Sequence, residues 1–169
     1  MVRNFDSPHD AVLAYRLRWK RRRLLWRSLR KRGELTCVID RTPRIGREDI
    51  LCFATVRNEA LRLPWFLDHH RRLGVRHFLI VDNDSRDGGA AYLAQQPDVS
   101  LWSTAASYKR ARFGVDWLNW LQGRYGHGHW TLVVDPDEFL VYPFCDTRPI
   151  RALTDWLDGC NTRSFGAML

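Results

Sequence analysis

A chain of 169 residues, 45% hydrophobic and 27% charged, can bury one sizeable core and is too apolar to remain disordered. No apolar run approaches the ~20 residues that cross a bilayer, and Cys37, Cys52, Cys145 and Cys160 are too scattered for a CxxC metal site or a disulfide framework, which points to a reducing, cytoplasmic setting. The formal net charge of +8 belongs wholly to residues 1–49, which hold 14 Lys and Arg against 6 Asp and Glu, whereas residues 50–169 hold 13 of each.

The charge imbalance divides the chain into a basic leader with linker, residues 1–49, and an α/β domain, residues 50–169. Within the leader, Tyr15 to Leu35, YRLRWKRRRLLWRSLRKRGEL, reads as a helix ending at Gly33, with Leu17 and Leu24 on one side and Trp19, Trp26 and Leu29 on another. Arginines interleaved with tryptophans suit an anionic membrane surface, such as the inner face of a membrane, or an intramolecular contact; nucleic acid is the weakest of the three fits. Ile39 to Asp49, containing Pro43 and Gly46, reads as the linker.

From residue 50 short apolar runs alternate with helical periodicity, the signature of an α/β sheet. Strands are expected at Ile50 to Val56, His77 to Asn83, Val99 to Ser103 and Trp130 to Asp135. Helices are expected near Leu63 to Leu73, Gly89 to Gln96, Val115 to Tyr125 and Ile150 to Leu157, the last opened by Pro149, which a first helical turn tolerates. Trp117 and Trp120, three residues apart, read as helix core. His69 and His70 lack the i, i+4 spacing of a helical metal pair and read as packing or surface residues, as do His127 and His129.

Each expected strand feeds a polar segment, and an open α/β sheet binds ligands at the C-terminal ends of its strands. These segments are Arg57-Asn58-Glu59, Asp82 to Gly88, Lys109 to Arg112, and a carboxylate turn with Asp135, Asp137 and Glu138. Taken singly they also read as ordinary loops: Asn58 suits a helix cap, and DNDSRDGG suits a tight turn. Their recurrence at one edge is the stronger signal. Carboxylates two residues apart beyond a buried strand can converge on a hard divalent cation, magnesium or manganese, which keeps positions open for substrate phosphates.

VRNEALRLPWFLDHHRRLGVRHFLIVDNDSRDG followed by VVDPDEFL resembles glycosyltransferase family 2, in particular its Asp-Asn-x-Ser and Asp-x-Asp-Glu-Phe subgroup. The resemblance covers Leu51 to Tyr142 and implies a GT-A, Rossmann-like fold, a nucleotide-diphosphate sugar donor, Mn2+ or Mg2+, a glycan or glycoconjugate acceptor, and inversion at the anomeric carbon. It further implies that Arg57, Asn58 and Glu59 line the nucleoside pocket and that Asp82 and Asn83 lie against base or ribose. Arg110 and Arg112 would approach the diphosphate, Asp135 the ribose or metal, and Asp137 the cation itself. Many relatives carry a second aspartate where this chain has Asn83.

The family's general base lies beyond the metal turn, and after Leu140 no carboxylate stands in a motif. The chain therefore reads as the donor-binding half of such an enzyme, with Arg163 to Leu169 as an interrupted strand, acting in polysaccharide or glycoconjugate assembly. The alternatives are a noncatalytic nucleotide- or partner-binding module and, less favoured, a phosphatase-like hydrolase using Asp135 as nucleophile and Asp137 as acid.

Overall fold

The computed structural model describes residues 8–166, with side chains from Val12 onward. The elements run α1 (Pro8–Lys31), β1 (Thr36–Ile39), β2 (Leu51–Val56), α2 (Leu63–Leu73), β3 (His77–Asp82), α3 (Gly89–Gln95), β4 (Val99–Ser103), α4 (Val115–Tyr125), β5 (Thr131–Val133) and α5 (Ile150–Gly159). The class is α/β: five strands in the order β1-β4-β3-β2-β5 form one mixed sheet flanked by helices, compatible with a Rossmann-like arrangement. All neighbouring pairs are parallel except β1 with β4.

Every residue of β2 and β3 is buried, the pattern of a parallel sheet covered on both faces. Alternation along the strands sends Cys52, Ala54, Val56, Phe78 and Ile80 to one face, where Leu63, Phe66 and Leu67 of α2 and Leu93 of α3 cover them. Leu51, Phe53, Leu79 and Val81 point the other way, onto Trp117, Leu118 and Leu121 of α4. A third cluster joins Ile150 of α5 to Ile50, Leu73, Leu140 and Tyr142.

Several expected segments differ from the structure. The leader helix ends at Lys31 rather than Gly33 and is followed by a 3-10 turn, Arg32–Glu34. There Lys31 Nζ donates to Glu34 Oε1 at 2.5 Å, and the Leu35 N–H donates to the Arg32 carbonyl at 3.1 Å. The sheet also reaches into the leader: β1 lies antiparallel along β4, with a bulge between Cys37 and Ile39. Ile39, expected to open the linker, thus ends a strand. Arg41 then fastens the linker to the domain, its N–H donating to Ser100 Oγ at 3.0 Å and its guanidinium to the carbonyls of Val99 at 2.8 Å and Ala94 at 2.9 Å. β5 is shorter than expected because Val134, whose N–H donates to the Phe53 carbonyl at 3.3 Å, is its last link to β2 before Pro136, which has no N–H, and a turn closed from the Glu138 N–H to the Asp135 carbonyl at 3.0 Å. At the far end Arg163 to Gly166 adopt no regular structure; the remainder of the expected terminal strand lies outside the described residues.

The leader is tied to the domain electrostatically as well. Arg27 of α1 donates to Oδ2 of Asp116, which is fully buried at the start of α4, from Nε at 3.3 Å and from NH2 at 3.1 Å. Glu34 accepts from the indole N–H of the buried Trp117 at 2.9 Å. Removing one partner of a buried ion pair leaves the other charge desolvated and uncompensated. Because the Arg27 side chain is itself 41% exposed and Arg112 keeps Asp116 partly compensated, Arg27→Ala should cost about 1–2 kcal/mol in a urea unfolding experiment.

A second outcome concerns acid. His70 of α2 is fully buried, its Nδ1–H donating to the Phe66 carbonyl at 2.8 Å. Burial lowers its pKa from the ordinary 6.5 to about 4, with the neighbouring His69 adding to the shift. The unfolded chain then binds the proton that the fold refuses, so stability is complete above pH 6.5 and falls by up to about 1.4 kcal/mol per pH unit down to about pH 4. In urea titrations across that range His70→Gln should flatten the slope, with His77, also lowered by burial, retaining part of it.

Candidate functional site

The parallel strands reverse direction of succession at β2: β3 lies on one side of it and β5 on the other. A crevice at such a switch point, beyond the strand C-termini, is where open α/β sheets take ligands. Here it is bounded by the segment after β2, the segment after β3, the segment Thr104–Gly114 after β4, and the carboxylate turn after β5.

The first two segments are latched together. Asn58 takes a left-handed backbone conformation, φ 56°, which asparagine tolerates better than most residues. Its N–H donates to Ser85 Oγ at 2.9 Å, and its Oδ1 accepts from the Arg86 N–H at 2.9 Å. Asp87 closes the latch, accepting from the Ala60 N–H at 2.7 Å and from the Gly89 N–H at 3.0 Å. Those two backbone donors, Ala60 first, hold its carboxyl below the usual range. Asp87 escaped the sequence reading because one carboxylate in DNDSRDGG gives no sign that it spans two loops.

Asp82 and Asn83 are both buried. Asp82 Oδ2 accepts from the Ser85 N–H at 3.2 Å, while its Oδ1 is buried without a hydrogen-bond partner among the described residues. The Asn83 amide donates to the carbonyls of Thr104 and Ala106, each at 3.0 Å. Its side chain thus pins the segment after β4, while its Oδ1 is buried without a hydrogen-bond partner among the described residues. The Arg112 guanidinium lies 3.6 Å from Asp116 Oδ1, an ion pair too long to count as a hydrogen bond, at the start of α4. Arg57 and Arg110 are exposed. The segment carrying Arg110 is pressed close: a Cβ on Gly114, φ +79°, would stand 2.5 Å from Thr55 Oγ1 at the end of β2.

In the carboxylate turn, Glu138 Oε2 accepts from the Asp135 N–H at 3.2 Å. Burial, then Glu138, then Asp137 push the Asp135 carboxyl up. Tyr108 faces the same charges: burial first, then Asp135 and Asp137, raise its phenol. From the other side Glu59 pairs with Arg62 at 2.5 Å, and the Arg62 guanidinium is held charged chiefly by Glu59 and further by Asp137. Tyr108 and Arg62 were not among the expected site residues; the Glu59–Arg62 spacing of three was the available signal for the second.

Among the described residues no three histidine, cysteine or carboxylate side chains converge into a ready-made metal cluster. The donor set still fits a cation held by few protein ligands. Asp135 and Asp137 are hard, crowded carboxylates, and magnesium or manganese takes one or two of these together with substrate phosphates. An open groove of about 780 Å3 lies elsewhere, along β5 and α5, lined by residues such as Trp130, Val133, Leu153 and Phe165. The carboxylate edge is the better candidate because charged groups from separate elements meet there.

Comparison with protein families, with curated proteins and with solved structures finds no match to this chain.

Two outcomes follow from the latch and the pressed segment. Asp87→Ala should speed amide hydrogen exchange at Ala60 and Gly89 together while leaving β3 protected. Gly114→Ala, which sets a Cβ against Thr55 in a backbone region unfavourable to alanine, should cost about 2–3 kcal/mol in urea unfolding.

Proposed function

We propose that this chain forms the donor-binding part of a metal-dependent glycosyltransferase with a GT-A fold, of the family 2 type. It would take a nucleotide-diphosphate sugar and serve transfer, with inversion, to a glycan or glycoconjugate acceptor. The observation that carries the reading is the meeting, at the switch point between β2 and β5, of Asp135 and Asp137 with Glu59–Arg62 and Tyr108.

In this reading Arg57, Asn58 and Glu59 line the nucleoside side of the crevice, and the Asn58–Ser85–Asp87 latch keeps that wall rigid before the ligand arrives, which lowers the ordering cost of binding. Asp82 supplies an acceptor for a ribose or base donor. The exposed Arg110 is free to meet diphosphate oxygens with its planar fork. Asn83, Arg112 and Asp116 brace the frame.

Asp135 and Asp137 would hold the magnesium or manganese ion, which when bound offsets the negative charge that grows on the diphosphate as the bond to the sugar breaks. Glu138, by accepting from the Asp135 N–H, fixes the turn that presents the two carboxylates. Arg62, held by Glu59 beside Asp137, offsets part of the repulsion within the turn.

Calorimetry of nucleoside diphosphates should show tighter binding with manganese or magnesium than with chelator, and Asp137→Ala should abolish that difference. Equal affinity with chelator present would overturn the metal assignment. Donor binding without transfer or hydrolysis across an acceptor panel would instead identify a noncatalytic binding module.

A further inference from the structure

We propose that α1 docks this protein on the surface of an anionic lipid bilayer, through a face that lies opposite its contact with α4. The inference is independent of the glycosyltransferase reading. From Val12 to Arg23 every side chain except that of Ala14 is exposed. The contacts that tie α1 to the domain begin near its end, with the buried Ser28 and with Arg27 on Asp116. More than three turns of helix therefore stand clear of the sheet.

Val12, Tyr15, Trp19, Trp26 and Leu29 recur at spacings of three, four and seven, which places them along one stripe of a helix. All five are exposed, Trp26 at 66% and Trp19 at 53%. Leu24, Arg27, Ser28 and Lys31 fall on the other side, so the helix carries two faces and the domain covers one. Exposed apolar surface of this extent marks an interaction site. Arginine is built into the uncovered face: Arg22 stacks over Trp19, 5.7 Å from guanidinium carbon to ring centroid, and Trp19, Arg22, Arg23 and Trp26 line one surface groove.

Charge complementarity selects the occupant. Between Tyr15 and Arg32 there are ten Lys and Arg and no Asp or Glu, so a second copy of this helix would be repelled and an anionic partner attracted. A polyanion such as nucleic acid satisfies the charge but offers little to Val12, Leu25 and Leu29, all exposed. A bilayer interface satisfies both. Tryptophan and tyrosine settle at headgroup level, aliphatic side chains enter the acyl boundary, and long arginines reach back to lipid phosphates. No described helix is long and apolar enough to cross a membrane, and α1 would lie in the plane of the surface instead.

Deleting residues 1–49 would remove β1 from the sheet, so the test uses substitutions in the full chain. Cosedimentation with vesicles of equal parts phosphatidylcholine and phosphatidylglycerol should capture the protein at low salt. Pure phosphatidylcholine vesicles should not. Trp19→Ala/Trp26→Ala, which keeps every charge, should weaken capture about tenfold or more, because two aromatic anchors are lost. Arg18→Glu/Arg22→Glu/Arg23→Glu should abolish it. Circular dichroism and urea midpoints of both variants should match the parent, since none of these side chains is buried. Absence of capture by the anionic vesicles, or undiminished capture of the tryptophan variant, would overturn the proposal. Tighter binding to a DNA duplex than to the vesicles, lost in the same variants, would overturn it in favour of a nucleic-acid partner.

Discussion

The burial of β2 and β3 on both faces is the constraint from which the rest of the molecule follows. A strand with no wet face has to be covered twice, so the chain sends α2 and α3 to one side and α4 to the other. Its parallel neighbours run in the same direction, which delivers every polar segment after a strand to the same edge. The candidate site is thus a consequence of core packing. Three carboxylates, a tyrosine and an arginine come near one another because the apolar strands below them have a single arrangement that buries both faces.

Asp116 extends the same constraint to the leader. A fully buried carboxylate requires compensation, and it receives Arg27 from α1 and Arg112 from the segment that walls the crevice. The basic helix, the start of α4 and the edge of the site are therefore joined through one charge. That junction accounts for how a strongly cationic helix is held against the domain while most of its length stays exposed.

The site differs from a preformed metal cage in a physically meaningful way. Burial first, then Glu138 and Asp137, raise the Asp135 pKa, and among the described residues no three histidine, cysteine or carboxylate side chains close into a cage.

The sequence by itself determined the position and type of most elements. Helices Leu63–Leu73 and Val115–Tyr125 and strand Val99–Ser103 fall where their periodicity places them, because an apolar repeat or run is a local signal that this tertiary structure does not contradict. It also showed which segments follow strands, and so which residues share an edge. Strand order and the recruitment of β1 were decided by tertiary structure: Thr36–Ile39 is short and largely exposed, and its role comes from hydrogen bonds to β4 more than sixty residues away. The fates of Asn83, Asp87 and Arg112 were decided there as well. Each is a polar residue with several possible partners, and the partner it takes depends on which loop the fold brings within hydrogen-bonding reach, a distance that no local pattern encodes.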